Sequence, residues 1–343
     1  MKIRELNLTL LKDEFQAPYT AFIGSASFEE RCLSVAKSLN ANFATTVVIF
    51  HSGSDAPWTQ TRLEQFERIA SGGTDNFHSV QISMIDPVYT ADSIIDALYK
   101  IDYAGKKKVR ILFDITTFTH EALLIVFKIF LLRLQPLIKA EDASLTFDVI
   151  YTPADGYSIG ATRSSEVWLS RGVRQVRSVL GYPGEMDPSR KVCLILLSGF
   201  EPERAMRVID TYKPDIMYVG KASETQSVNT GSYAVHKELS EEIAAYYGKV
   251  KTFSFSGINH GRTKDAILRL AQAHEDMNVV VAPMNTKIST IGCALAAIEQ
   301  SRIQLCYAVA ELYNYANYST PSDRCIVFRM SSATMTKLQQ LSS

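Results

Sequence analysis

Down most of the chain, short runs of uninterrupted apolar residues alternate with longer stretches in which apolar positions recur at helical spacing. Runs that are apolar throughout, rather than at every second position, mark strands buried on both faces. Strands alternating with helices make a parallel sheet joined by crossover helices. The pattern predicts strands at 19–23, 45–50, 78–83, 109–113 and 145–151, and again at 192–197, 216–219, 250–255, 279–282 and 304–309. Helices are predicted to start near Phe28, Trp58, Thr90 and Thr119, then after Phe200, Lys237, Thr263 and Thr286. Several of these starts carry a Ser, Thr or Asp able to cap the first exposed N–H groups. The expected fold class is therefore α/β, with two tandem Rossmann-like lobes built on parallel sheets. Lobe 1 is expected over 1–180, a Gly- and Pro-rich linker over 181–190, and lobe 2 over 191–343.

An internal repeat supports that division. Ser25-Ala-Ser-Phe-Glu-Glu-Arg31 matches Ser198-Gly-Phe-Glu-Pro-Glu-Arg204, each just after the first strand of its lobe. Further on, residues 151–158 echo residues 313–319, and the turns at 114–117 and 283–287 follow the fourth strands. Several matches in one order point to duplication.

Composition narrows the classes. With 343 residues, the chain exceeds what one hydrophobic core usually serves. Lys plus Arg equals Asp plus Glu at 36 each, so no long-range positive field gathers nucleic acid or an anionic membrane. Direct nucleic-acid binding and membrane association are not expected. The start of the chain lacks a signal-peptide pattern, which suggests the cytoplasm. The apolar stretch 122–134 contains Lys128 and Arg133 and reads as a core helix rather than a bilayer span. The 5 cysteines show no CxxC spacing, so they read as reduced, mostly buried thiols rather than disulfide or zinc ligands. No cofactor or metal is expected.

Ligands of open parallel sheets bind at the carboxyl ends of the strands, where loops and helix N-termini converge. Gly24, Ser25 and Ser27 there offer N–H groups and hydroxyls to an anion, although the same serines would serve as N-caps. The sequence is neither a GxGxxG motif nor a P-loop. Arg31 and Arg204 suit forked phosphate or carboxylate recognition, or else form structural ion pairs with the glutamates that precede them, Glu30 and Glu203. The turn at 114–121 is the richest polar cluster of lobe 1: Asp114 could act as base, Thr116 and Thr117 could hold phosphate, and His120 could exchange a proton. The same residues also suit helix capping. The second lobe's turn offers Asn285, Thr286 and Lys287, a cation where its twin has an acid, with Ser198 and Gly199 as the first-strand loop. The loop 256–262 with His260 could add donors, while His274 stands apart. Tyr151, Tyr157, Tyr313, Tyr315 and Tyr318 could stack on a base or pack internally. Lys106 to Lys108 read as a solvated loop, and Arg163, Arg171, Arg174 and Arg177 as a basic group, the last three on one helical face. No nucleophile elbow, HExxH or Ser/His/Asp set is apparent.

The turns Asp114-Ile-Thr-Thr-Phe-Thr-His120 and Asn285-Thr-Lys287 resemble the loop after the fourth strand in CARF domains and the related duplicated SAVED modules. That resemblance implies Rossmann-like sensors of cyclic oligonucleotides in prokaryotic antiviral immunity, with an Asn/Asp, Thr and Lys/Thr turn lining the pocket. The first-strand loops, Gly24 to Ser27 and Ser198 to Gly199, are the family's other ligand loops. This chain lacks the glycine pair of the family turn, and two lobes use up its length, so an effector would be a separate protein. Three functions are expected: a nucleotide-type ligand sensor or scaffold with a protein partner or as a homo-oligomer; an enzyme acting on a nucleotide or nucleoside through Asp114 or His120; or an interaction subunit with a degenerate pocket.

Overall fold

The computed structural model describes residues 3–39, 43–51, 56–70, 76–103, 106–133, 144–157, 169–228, 230–247, 250–315, 319–330, 335–336 and 340. The chain forms two compact units, Met1–Tyr157 with Ser319–Ser343, and Ser158–Tyr318.

In the first unit, β1 (Ile3–Asn7) and α1 (Leu11–Glu14) precede the parallel strands β2 (Ala21–Ser25), β3 (Thr46–His51), β4 (Phe77–Ile82), β5 (Lys108–Asp114) and β6 (Ser144–Tyr151). Helices α2 (Ser34–Leu39), α3 (Ala56–Ala70), α4 (Pro87–Tyr99) and α5 (His120–Arg133) connect or flank them. The parallel strands lie in the order β6-β5-β2-β3-β4, the 3-2-1-4-5 arrangement of a Rossmann-like sheet. One face packs Phe22, Val48, Leu33 and Phe66, and Phe113, Phe118, Phe130 and Phe147 form an aromatic cluster, with Phe130 and Phe147 stacked at 4.9 Å. Each such ring removed from water stabilises the fold by about 1.5–3 kcal/mol. As its apolar run predicts, α5 is buried along most of its length.

The second unit repeats the plan. After β7 (Ala154–Tyr157) of the first unit and β8 (Ser170–Pro183), it runs through β9 (Val192–Leu197), α6 (Pro202–Tyr212), β10 (Ile216–Ala222), α7 (Thr230–Tyr247), β11 (Val250–Phe255), α8 (His260–Gln272), β12 (Asn278–Pro283), α9 (Lys287–Glu299) and β13 (Ile303–Tyr313). Its sheet order, β11-β10-β9-β12-β13-β8, again places the parallel strands as 3-2-1-4-5. The two lobes are thus one Rossmann-like plan used twice.

Two antiparallel strands depart from the expected layout. β8 pairs with β13, the fifth strand of the second unit, although it follows β6 in the chain. The mirror case is β15 (Arg324–Met330), which comes after β13 and β14 (Ser319–Pro321) yet pairs with β6, with β1 outside it. The last strand of each expected lobe therefore belongs to the sheet of the other, β8 as an edge strand and β15 between β6 and β1, and β14 pairs with β7 in a small ribbon of the first unit. Residues 181–183 of the expected 181–190 linker end β8, and Arg171, Arg174 and Arg177 lie on that strand rather than on a helical face. Gly181, with φ of 89°, sits where the β8 register against β13 slips between Ser178 and Pro183. Its glycine marks a bulge in a strand, which from sequence reads like a turn. Arg163 and Tyr318 lie outside the described residues.

Candidate functional site

At the carboxyl end of β2 in the first unit, the loop after β5 crosses over the strand. Thr117 Oγ1 donates to the Ser25 carbonyl at 2.8 Å. Two residues on, Thr119 Oγ1 lies 3.3 Å from His51 Nε2 at the end of β3, while accepting the Ala122 N–H at 3.2 Å as the cap of α5. The loop thus reaches from β5 across β2 to β3. Asp114 begins it, accepting from the Thr116 N–H at 3.0 Å and from the Thr116 hydroxyl. That hydroxyl also accepts the Thr152 N–H at 3.0 Å, tying the loop to the end of β6. Burial pushes the Asp114 carboxyl up to about 7, against the opposing effects of the Thr116 hydrogen bonds and the Arg31 charge. His51 Nδ1 and Thr152 Oγ1 are buried with no hydrogen-bond partner among the described residues, and burial pushes the His51 imidazole down to about 4. The edge therefore gathers a neutral imidazole, a carboxyl poised near neutrality and several hydroxyls.

Beside this edge, the Arg31 Nε donates to Glu29 Oε2 at 2.7 Å and its Nη1 to the Thr152 carbonyl at 3.0 Å. The guanidinium lies 5.8 Å from the Tyr157 ring centroid, and Ser319 Oγ donates to Glu29. Burial disfavours the Arg31 charge, but Glu29, Tyr157 and Tyr151 hold it firmly protonated. The second unit builds the same clasp. Arg204 Nη1 donates to Glu201, its Nε and Nη2 to the Ala308 carbonyl at 3.0 and 2.6 Å, and its guanidinium lies 5.0 Å from the Tyr307 ring. Ser170 donates to Glu201, as Ser319 does to Glu29. In both units the arginine ties the first helical turn to the fifth strand, and the serine comes from the segment beside the chain crossing.

The clasp uses Glu29 and Glu201; Glu30 is exposed, and Glu203 accepts the Gly172 N–H at 3.2 Å. It also re-registers the tyrosine repeat: Tyr151 and Tyr157 answer to Tyr307 and Tyr313, which share a spacing of six residues, rather than to the 313–319 segment. The Tyr307 and Tyr313 hydroxyls lie 3.4 Å apart. Tyr315 is half-buried near the end of the unit.

The other expected residues are placed as follows. Gly24 lies inside β2, where an added Cβ would meet the Phe22 ring at 2.7 Å. Ser25 ends that strand, and Ser27 accepts the Glu29 N–H at 3.3 Å. His120 is buried as the first residue of α5. In the second unit, Ser198 Oγ donates to the Gly220 carbonyl at 2.8 Å and lies 2.7 Å from Ser240 Oγ. Gly199 is pressed against the next loop: a Cβ there would stand 1.7 Å from the Met284 carbonyl oxygen. The Asn285 Nδ2 donates to the Ser198 carbonyl at 2.6 Å, the counterpart of Thr117 on Ser25. Thr286 caps α9 through the Ser289 N–H at 3.1 Å and donates to the Gly257 carbonyl at 2.6 Å, and Lys287 is half-buried in the first turn. The register of β2 on β5 and of β9 on β12 sets Asp114 opposite Pro283 in the repeat. Asp114 and Lys287 are therefore not positional twins. His260 starts α8 and is buried, and His274 Nε2 lies 3.0 Å from the Tyr218 hydroxyl.

Sequence reading named Thr119 as a helix start within the polar turn and missed His51, Glu29, Ser170 and Ser319. His51 is a single residue at a strand end, and the serines lie on strands that join their unit only through the crossing. Glu29 lies inside the repeat, one residue from the glutamate that was chosen.

Among the described residues no group of three or more His, Cys, Asp or Glu is placed to hold a metal ion, and no helix is long and apolar enough to cross a membrane. All five cysteines are buried and unpaired. No protein-family model matches the chain, and no curated protein does. Among solved structures, the crystal structure of the N-domain with NADP of bacterial malonyl-CoA reductase is 10% identical and covers 82% of this chain and 76% of that one, with a TM-score of 0.23. A score that low carries no argument about fold or function.

Proposed function

We propose that the protein binds a nucleotide-type ligand at the strand ends of its first unit, as a sensor or scaffold that signals to a separate effector protein. The observation that carries this reading is the Thr117 bridge to Ser25: it holds the hydroxyl-rich loop 114–119 across the end of the central strand, where sheets of this order bind ligands. Ser27 and Thr117 supply half-buried hydroxyls there, Ser25 and Thr116 lie buried beneath them, and the arginines belong to the clasps behind. The resemblance of the two fourth-strand turns to CARF and SAVED loops favours a cyclic oligonucleotide, a role in prokaryotic antiviral defence and a cytoplasmic site of action. In the second unit Asn285, Thr286 and Lys287 occupy the corresponding edge. Calorimetry of the full chain against cyclic and linear oligonucleotides tests the reading: one should bind, and Thr117→Val should weaken it about tenfold, the worth of one hydrogen bond.

A second reading, an enzyme acting on a nucleotide or nucleoside, is favoured by Asp114, whose carboxyl lies near 7 and is thus suited to moving a proton at neutral pH. Turnover of the bound nucleotide, abolished in a folded Asp114→Ala variant, would select it over sensing.

A further inference from the structure

Helix α4 buries Thr90, Ala91, Ile94, Ala97 and Leu98 against the first unit, yet its outer face is also apolar. Val88 is 57% exposed and Tyr99 63%, with the exposed Tyr89 and Ile95 between them. A surface helix ordinarily turns polar residues outward, so a helix apolar on both sides has a second face to cover. Val88, Asp92, Ile95 and Tyr99 follow one another at spacings of four, three and four, the seam of a helix that packs against another helix. From Val88 to Tyr99 the seam runs about 16 Å, three turns. Its far end is braced by the Arg133 guanidinium, 4.4 Å from the Tyr99 ring centroid.

Charge decides what fits. Asp92 sits in the middle of the seam and Asp96 beside it, and both are exposed. If a second copy paired through the same seam, the parallel register would set Asp92 against Asp92 and the antiparallel register would set Asp92 against Ile95, so the carboxylate would lose water opposite a like charge or with no partner, and either is costly. A helix with apolar residues at the matching positions and a Lys or Arg opposite Asp92 covers the seam and neutralises it. From the apolar seam and its central acid, we infer that α4 is the docking surface for an amphipathic helix of a different protein carrying a central basic residue. The inference names the face through which a partner would engage and does not depend on what the strand ends bind, so nucleotide calorimetry and the assay below can fail separately.

The test uses the full chain and a synthetic helical peptide with Leu at the seam positions and Lys at the central one, followed by fluorescence anisotropy. A control peptide carries Glu in place of the Lys. The Lys peptide should bind, and Ile95→Asp and Asp92→Lys should each weaken it at least about tenfold, a loss of roughly 1.4 kcal/mol. Because both positions are exposed, the variants should keep the parent's circular dichroism and Tm. The Glu peptide should bind only to Asp92→Lys, which tests the charge without relying on any loss of binding. Equal binding of both peptides, or no binding of the Lys peptide to the folded chain, would overturn the inference. So would a dimer in sedimentation velocity that Ile95→Asp dissociates, because a second copy would then be the occupant.

Discussion

Thr117 Oγ1 donates to the Ser25 carbonyl at 2.8 Å, so the loop after the fourth strand of the first unit lies on the end of its first strand. Asn285 makes the same contact to Ser198 at 2.6 Å in the second unit. Different side chains thus perform one task, and the loops differ in length: Thr117 and Thr119 divide the bridge and the cap with a residue between them, whereas Asn285 and Thr286 are adjacent. Thr117→Val keeps the shape and removes the donor. It should cost about 1 kcal/mol of stability, the net worth of a hydrogen bond, read from urea denaturation.

The clasp predicts a larger loss. Arg31 and Glu29 are both buried, and removing one partner leaves the other charge buried and unpaired. Glu29→Ala should cost about 3–5 kcal/mol. Glu201→Ala should cost less, because Glu201 is the more exposed of the two glutamates, at 15% of its side chain against 7%. Denaturation midpoints of the two variants should therefore separate in that order.

Asp114 makes stability depend on pH. Its carboxyl is raised in the folded chain from the ordinary 3.8 to about 7 because burial disfavours the ionised form. The folded state thus holds this proton where the unfolded state has released it. The stability it contributes is fully present below about pH 4 and is lost as pH rises through 7. Asp114→Asn removes the titration and leaves an oxygen to accept from Thr116. Between pH 4 and pH 8, the parent should lose stability relative to the variant, on the order of 4 kcal/mol for a shift of this size. Parallel pH profiles of the two proteins would refute the assignment.

Much of the architecture was legible in the sequence, for a physical reason. Parallel strands buried on both faces are apolar at every position, so 192–197 was predicted with the bounds it has; 250–255 was too, although that edge strand mixes apolar and polar residues. β8 was not legible. Its 14 residues mix glycine, arginine and half-buried positions on an edge strand, and its partner β13 lies more than 120 residues away in the chain. The candidate site was legible in part. The loops that meet at the strand ends could be named from the repeat, but whether Arg31 faces a ligand or a carbonyl depends on Thr152, which only the folded sheet brings to it. His51 carried no signal at all, since a single histidine closing a strand has no spacing to read.

Gly199 admits a steric test. A methyl group there would enter the Met284 carbonyl, a main-chain atom that cannot rotate away. Gly199→Ala should push the loop after β12 off the end of β9 and destabilise the second unit by more than about 2 kcal/mol. A thermal melt within 1–2 °C of the parent, a shift smaller than that cost would produce, would contradict the close approach.

The central claim, a nucleotide-type ligand on the first unit's strand ends, is tested most directly by calorimetric titration of the folded chain with a panel of cyclic and linear oligonucleotides. One of them should bind with 1:1 stoichiometry, and binding should fall about tenfold in Thr117→Val while surviving in Asn285→Ala, which alters only the second unit. Failure of every oligonucleotide to bind, or a loss that follows Asn285 rather than Thr117, would contradict it.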